Sequence, residues 1–290
     1  KILEIQKVDL ASFCYLNSER YPFLLESVNH NDFNRYSILF AFPGEILFNS
    51  FSDFDFLNEL KNQFKPNNLN SDLPFIGGWF VYLSYELIGQ IEPSLSYEVY
   101  RSNLPIAYAV KIPSAIIIDH QLDKTYLIDQ DDNENRINSI LSDIKLTKPI
   151  PKKAIKGKLS EENQEKFTDG VKACLDYIVA GDVFQVNLSR QWQYKLSEKI
   201  NSTIIYSALK NANPAPFSAL IQYENFSIIS SSPERLFSVN DGVLQTRPIA
   251  GTHPRGKGSE DDTQKENLIS HPKEIAEHVM HLDLERNDMG

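Results

Sequence analysis

A series of four polar motifs in about the last sixty residues constrains this chain more than any other feature. In order they are Ser232-Pro-Glu-Arg-Leu236, Thr246-Arg-Pro-Ile-Ala-Gly-Thr252, the Glu and His residues between 274 and 281, and the segment 283–290. Any one such motif matches unrelated proteins by chance. Four of them in this order and spacing are far harder to obtain by accident. We therefore predict that this part of the chain contributes to a functional site.

Composition and charge exclude several classes of protein. Hydrophobic residues make up 41% of the chain and charged residues 23%, which is ordinary for a globular protein. The net charge of −10 is spread along the chain and argues against a nucleic-acid partner. No apolar run is long enough to span a membrane. Cys14 and Cys174 lie far apart and imply no disulfide framework, so we expect a cytoplasmic protein.

A Lys- and Pro-rich stretch at 145–158 predicts a linker between two domains, 1–150 and 151–290. Before the linker, 79–85 is apolar on both alternations, as in a strand covered on both faces. The runs 114–118 and 125–128 predict a hairpin. Before them, Ser52 followed by Leu57, Leu60 and Phe64 predicts a short amphipathic helix.

After the linker, Ser160 is predicted to cap a helix that ends at Gly181, with an apolar stripe of Phe167, Val171, Cys174 and Ile178. The alternation in 183–188 predicts a half-buried strand. Further strands are predicted at 226–230, 236–239 and 243–246, the last two joined by a turn at Asn240-Asp-Gly242. Because hairpins and helices mix without a strict βαβ rhythm, we expect an α+β fold with antiparallel sheets.

The last predicted helix begins at Pro272 and has two distinct sides. Ile275, Val279 and Leu282 form one apolar stripe, whereas Glu274, Glu277, His278 and His281 share another face. Carboxylates on one helix face can hold a hard cation such as Mg²⁺. A solvated charged face is the alternative, and a zinc site is less favoured because the spacing is not His-Glu-x-x-His.

Taken together, these motifs resemble the chorismate-utilising enzymes, which include the component I subunits of anthranilate synthase and aminodeoxychorismate synthase. The segments that carry the resemblance are 24–27, 35–37, 77–86, 181–190, 213–217, 232–235, 247–252, 276–278 and 283–290. The resemblance implies antiparallel sheets packed face to face with helices outside. It also implies an N-terminal component I region at 1–150 and a chorismate-binding catalytic region at 151–290.

The resemblance also implies roles for individual residues. Glu234 is the general acid that protonates the C4 hydroxyl of chorismate, and Glu277 is an Mg²⁺ ligand, with Glu274 assisting through water. Gly251 and Thr252 bring backbone N–H groups and a hydroxyl to the substrate, next to Ala250. A turn, a strand end and a solvated helix face are the ordinary structural readings of these positions.

Gln185 separates the branches of the family. In relatives that add water, the resemblance implies a lysine base here, whereas relatives that add ammonia have glutamine. Ammonia needs no base, so Gln185 favours amination, with ammonia from a separate glutamine amidotransferase subunit. The alternative is a merely polar position on a strand.

The segments 77–93, 185–190 and 213–219 favour aminodeoxychorismate synthase over anthranilate synthase. Ala250 favours the latter, since known aminodeoxychorismate synthases have a nucleophilic lysine there. We therefore predict 4-amino-4-deoxychorismate as the product, for para-aminobenzoate and folate synthesis. Anthranilate synthase is the alternative, and a catalytically inactive chorismate- or tryptophan-binding module is a second one.

Two further expectations follow from the resemblance. Ser27, Pro214 and Phe217 match segments that form a tryptophan pocket in the family, although ordinary packing explains them equally well. The family continues past Gly290 with another histidine, a second Mg²⁺-binding glutamate and a Gly-rich segment. We interpret the chain as the front part of a longer enzyme whose C-terminal part is missing, and expect the 290 residues alone to be inactive.

Overall fold

The computed structural model describes residues 1–29, 34–49, 55–64, 71–94 and 104–289. The elements of the first half are β1 (Ile2–Ile5), α1 (Leu10–Leu16), β2 (Phe23–Glu26), β3 (Tyr36–Ala41), β4 (Ile46–Asn49), α2 (Phe56–Gln63), β5 (Gly78–Leu83), α3 (Ile88–Ile91), β6 (Ala107–Ile112), β7 (Ser114–Asp119), β8 (Lys124–Asp129) and α4 (Glu134–Leu146). Those of the second half are β9 (Gly157–Glu161), α5 (Gln164–Ala180), β10 (Trp192–Leu196), α6 (Ser202–Ala212), β11 (Phe217–Tyr223), β12 (Phe226–Ser232), β13 (Ser238–Asn240), β14 (Val243–Gln245), α7 (Ser259–Ser270) and α8 (Pro272–Met289).

A seven-stranded antiparallel sheet with the order β1-β8-β7-β3-β2-β11-β12 forms the centre of the fold. Helices α1, α4 and α6 cover one face, where Phe13, Ile140 and Tyr206 pack against Leu39 and Ile116 of the sheet. The apolar burial of these side chains is the main force that holds the helices to the sheet. Every residue of β7 is buried because both faces of the sheet are covered there.

A three-stranded antiparallel sheet, β4-β6-β5, packs on the other face. Phe23 and Phe40 of the large sheet meet Phe80, Tyr108 and Val110 of the small one. The Phe23 and Phe80 rings stack with centroids 4.1 Å apart, which closes the layer between the sheets. The expected α+β fold of face-to-face antiparallel sheets with helices outside is therefore confirmed.

The sheet runs across the predicted domain boundary. Residues 147–156 form neither helix nor strand, but β11 pairs with β2, aligning Leu220 with Leu24. The strands of the second region thus extend the sheet of the first. In the described part of the chain, no helix is long and apolar enough to cross a membrane.

Local signals explain the predictions that the structure confirms. The hairpin of β7 and β8 is present, as is that of β13 and β14, which turns through Asp241 and Gly242, both with positive φ. Gly181 ends α5 with φ +81°, in the left-handed region that favours glycine. Strand β12 and the start of α8 at Pro272 also agree with the sequence.

Other predictions were wrong in detail. Ser160 lies in β9, paired with β10, and the side chain of Asn163 caps α5 instead. Residues 183–188 form no strand, because no strand in the described part of the chain pairs with them, and Phe184 is 80% exposed. Strand β5 lies at a sheet edge with Leu83 half exposed, so it is not covered on both faces.

The predicted helix near residue 57 is present, but its start differs. Asp55 caps α2, its side chain accepting a hydrogen bond from the backbone N of Asn58. Ser52, the residue expected to precede the helix, lies outside the described residues.

We expect part of the stability of this fold to be lost in acid through Asp129. The carboxylate is buried at the end of β8. Burial opposes its charge, but hydrogen bonds from Arg136, Ser114 and the Asn133 backbone outweigh that effect and lower its pKa to about 2. Because the folded-state pKa is depressed, the stabilisation is complete above about pH 4 and disappears as the pH falls towards 2, a change of about 2 kcal/mol.

Urea unfolding at several pH values tests this prediction. Asp129→Asn should be less stable than wild type at pH 7 and should lose less stability than wild type between pH 4 and 2. Asp123→Asn is the control, since Asp123 is an exposed ion-pair partner of Lys7. An unchanged acid profile in Asp129→Asn would contradict the assignment.

Candidate active site

A cleft of about 610 Å³ collects three of the predicted site residues, Glu234, Gln185 and Glu277. Its walls come from the segment after α5, the segments that flank β13 and β14, and helix α8. The remaining lining residues are Asn187, Ser232, Arg235, Leu236, Thr246, Pro248, Ile249, His281, Leu284 and Glu285. Segments that are far apart in sequence therefore meet at one cleft, and each of them carries a predicted site residue.

Glu234 is held by a turn that directly follows β12. The Ser232 hydroxyl donates to the Glu234 carbonyl oxygen at 2.9 Å, and the Glu234 backbone N donates to the Ser232 Oγ at 3.3 Å. The backbone N of Ile249 donates to Glu234 Oε1 at 2.8 Å. These bonds fix both the backbone and one carboxyl oxygen, so the acid has a defined orientation in the cleft.

Gln185 reaches the cleft from an irregular segment rather than from the predicted strand. Its Oε1 lies 2.8 Å from Nε2 of His281 on α8. Since the amide oxygen can only accept, the imidazole carries its proton on Nε2 in this contact. His281 therefore anchors a segment that has no sheet to hold it.

Helix α8 turns its polar side towards the cleft. Glu274, Glu277, His281 and Glu285 are partly buried, whereas Val279 of the predicted apolar stripe is 58% exposed. The other two stripe residues, Ile275 and Leu282, and the predicted face residue His278 are also exposed. The predicted polar face therefore lies towards the cleft except at His278, and the pattern did not indicate which face lies inward.

The segment 250–252 lies beside the cleft without lining it. A Cβ on Gly251 would lie 1.7 Å from Oε2 of Glu274, so this glycine allows the Glu274 carboxylate to approach the backbone. From the sequence we expected Gly251 to allow the substrate, not Glu274, to approach the backbone closely. Neither Ala250, Thr252 nor Glu274 is among the lining residues.

We expect Gly251→Ala to act through Glu274. The added methyl must displace that carboxylate. If Glu274 supports the Mg²⁺ ligand Glu277, as expected from the sequence, activity falls by about tenfold or more. Glu274→Ala should cause a similar loss, and the double variant should be no worse than either single one. Turnover numbers of the four proteins test this; fully additive losses would contradict it.

The cleft offers a carboxylate ligand of the kind that Mg²⁺ prefers, but its side chains do not surround a metal ion. Glu277 offers a carboxylate at the cleft, and Mg²⁺ typically binds one or two carboxylates together with water and substrate oxygens. Among the residues that the structure describes, no three His, Cys, Asp or Glu side chains converge to hold a metal. A metal here would depend on ligands beyond these side chains.

A second cleft of about 940 Å³ contains two of the predicted tryptophan-pocket residues, Ser27 and Phe217. Pro214 does not line it, but Pro216 does. Glu26, also in the lining, accepts hydrogen bonds from Tyr206 Oη at 2.6 Å and Lys210 Nζ at 2.9 Å.

The sequence analysis did not predict three features of the cleft. These are the hydrogen bond from Ile249 to Glu234, the contact of His281 with Gln185, and the position of Glu285 in the lining. The first two join distant segments, and no local pattern indicates them. Glu285 could have been found, because it lies four residues after His281 and eight after Glu277, which places all three on one helical face.

Comparisons with known proteins identify relatives of this chain. The family model described as chorismate binding enzyme matches residues 20–290. An anthranilate synthase component I-like protein of Synechocystis sp. is 34% identical over 251 residues, covering 82% of this chain and 50% of the relative. Aminodeoxychorismate synthase component 1 of Bacillus subtilis is 34% identical over 259 residues, covering 83% and 54%.

A solved structure shows the same fold. Anthranilate synthase component I from Streptococcus pneumoniae superposes with a TM-score of 0.76 at 27% identity, over 92% of this chain and 63% of that one. The chain spans about half the length of the curated relatives named above. From the extent of the family match and the identity to these relatives, the chain belongs to the family of chorismate-binding enzymes.

Proposed function

We propose that this protein catalyses the Mg²⁺-dependent amination of chorismate to 4-amino-4-deoxychorismate, a precursor of para-aminobenzoate in folate synthesis. A separate glutamine amidotransferase subunit would supply the ammonia. The observation that carries the proposal is the convergence of Glu234, Gln185 and Glu277 on one cleft. These residues provide an acid, a neutral polar group and a carboxylate ligand for a metal.

Glu234 is suited to be the acid. The C4 hydroxyl of chorismate is a poor leaving group, so a positioned carboxylic acid must protonate it. The N–H of Ile249 holds one oxygen of Glu234, which leaves the carboxyl group oriented for proton transfer. Arg235, the next residue, also lines the cleft, and its guanidinium suits a substrate with two carboxylates.

Gln185 supports ammonia rather than water as the nucleophile. The amide cannot deprotonate water, and no lysine occurs among the described residues that line the cleft. Ammonia is already nucleophilic. As the C–N bond forms, the C4–O bond breaks and its oxygen leaves as water with the proton of Glu234. The added nitrogen releases one proton, so chorismate and ammonia give the amine and water.

Mg²⁺ would be held by Glu277, and when bound it supplies a Lewis acid for a carboxylate of the substrate. Glu274 approaches Gly251 beside the cleft. We assign it a supporting role through water.

A second candidate product is anthranilate, and Ala250 favours it. A methyl group cannot form the covalent bond that a lysine would form with the ring, so direct attack at another ring carbon becomes the simpler route. The resemblance of 77–93, 185–190 and 213–219 favours the first product. Similarity alone does not decide, since relatives of both names are 34% to 35% identical.

Product analysis tests the proposal. Protein from the complete gene is incubated with chorismate, Mg²⁺ and ammonium. A product that an added lyase converts to para-aminobenzoate supports 4-amino-4-deoxychorismate, whereas direct anthranilate fluorescence supports the second candidate. Heat of chorismate binding in calorimetry with no product would overturn both and indicate a binding module.

A further inference from the structure

Glu285 carries the most unusual polar atom of the cleft. It lines the cleft together with Gln185, Glu277 and His281. Its Oε2 is buried and has no hydrogen-bond partner among the described residues. An unmade hydrogen bond at a buried polar atom costs about 1–3 kcal/mol, and more for a charged group, so such an atom requires an explanation.

Buried or partly buried carboxylates elsewhere in the described part of the chain have hydrogen-bond partners, as four examples show. Asp119, Asp129 and Asp143 each receive hydrogen bonds from an arginine. Glu26 receives them from Lys210 and a tyrosine. Packing in this fold therefore provides partners for its acidic groups, and Glu285 departs from that rule inside the candidate active site.

The chemistry of the cleft limits which molecule can donate a hydrogen bond to the Oε2 of Glu285. Chorismate is a dianion, and its carboxylates would be repelled by a second carboxylate in a site of low dielectric. We assign the Mg²⁺ of the proposed function to Glu277, and among the described residues no three ligating side chains converge that would bring a metal onto Glu285 as well. Among the proposed reactants, the one that fits beside Glu285 must therefore be small, neutral or cationic, and able to donate hydrogen bonds.

We infer that Glu285 is the residue that positions ammonia for attack, an inference that rests on the proposed amination. Gln185, anchored by His281 at 2.8 Å, forms the neighbouring wall of the same cleft. The Glu285 carboxylate accepts an N–H hydrogen bond from ammonia. As the C–N bond forms, positive charge develops on nitrogen, and an adjacent carboxylate stabilises it.

The test is Glu285→Gln in protein from the complete gene, with ammonium chloride as the nitrogen source. The kcat/KM for ammonia should fall by about tenfold to a hundredfold, the range for a hydrogen bond to a charged group. The KM for chorismate and the Mg²⁺ requirement should change less than about twofold. The Tm should not fall, because the altered oxygen has no protein partner.

Two variants sharpen the comparison. Glu285→Asp keeps the charge and should recover part of the ammonia dependence. Glu266→Gln makes the same chemical change at an exposed position on α7, outside the cleft, and should match wild type in every constant. A lower Tm together with a uniform loss of kcat would indicate a structural role and overturn the inference, as would a selective change in the Mg²⁺ requirement.

Failure of this inference is distinguishable from failure of the proposed function. If wild type turns over chorismate with ammonium and Glu285→Gln has the same ammonia constants, only the role of Glu285 is refuted. If wild type shows no ammonium-dependent turnover, the amination is refuted, and the role of Glu285 with it.

Discussion

Glu234→Gln is expected to lower the turnover number by about a hundredfold to ten-thousandfold, the usual contribution of general acid catalysis. Glutamine has the same size, and its amide oxygen can still accept the hydrogen bond that Ile249 donates. It cannot give a proton to the leaving hydroxyl. The loss should therefore appear in kcat, while chorismate binding changes only a few fold.

Steady-state kinetics and calorimetric titration with chorismate separate these effects. Glu266→Gln is the matched control, since Glu266 is exposed on α7 and outside the cleft; it should leave both constants unchanged. Turnover near the wild-type rate in Glu234→Gln would rule out its role as the acid. An equal loss of binding and rate would point instead to a role in holding the substrate.

How much of the fold the sequence predicts depends on how local each signal is. The hairpin of β7 and β8 closes through a short polar loop, so the two runs that flank this loop were enough to find it. The pairing of β2 with β11 joins residues almost two hundred positions apart, such as Leu24 and Leu220. No local pattern specifies that contact, and the strand order of the large sheet could not be predicted.

The same limit applies to the site. Glu234, Gln185 and Glu277 were predicted from motifs, and they line one cleft. The alternation around Gln185 suggested a strand, but a strand needs a partner, and here His281 supplies a single side-chain contact instead. Apolar periodicity on α8 predicted two faces but not which of them lies inward, and in the structure Glu277 lines the cleft whereas Val279 is exposed.

The second large effect is expected from Glu277→Gln. Removing one charge from a carboxylate ligand should raise the Mg²⁺ concentration for half-maximal turnover by at least about tenfold to a hundredfold, since even outer-shell changes reach that range. Glu277→Asp keeps the charge and should show a smaller shift. Glu274→Gln should also show a smaller one, because Glu274 lies beside the cleft against Gly251, whereas Glu277 lines it. Activity measured against Mg²⁺ concentration in the three variants gives this order directly. If Glu274→Gln proved the most damaging, the metal would have to sit on the other side of α8's polar face, nearer the 250–252 segment, and the assignment of Glu277 would be wrong.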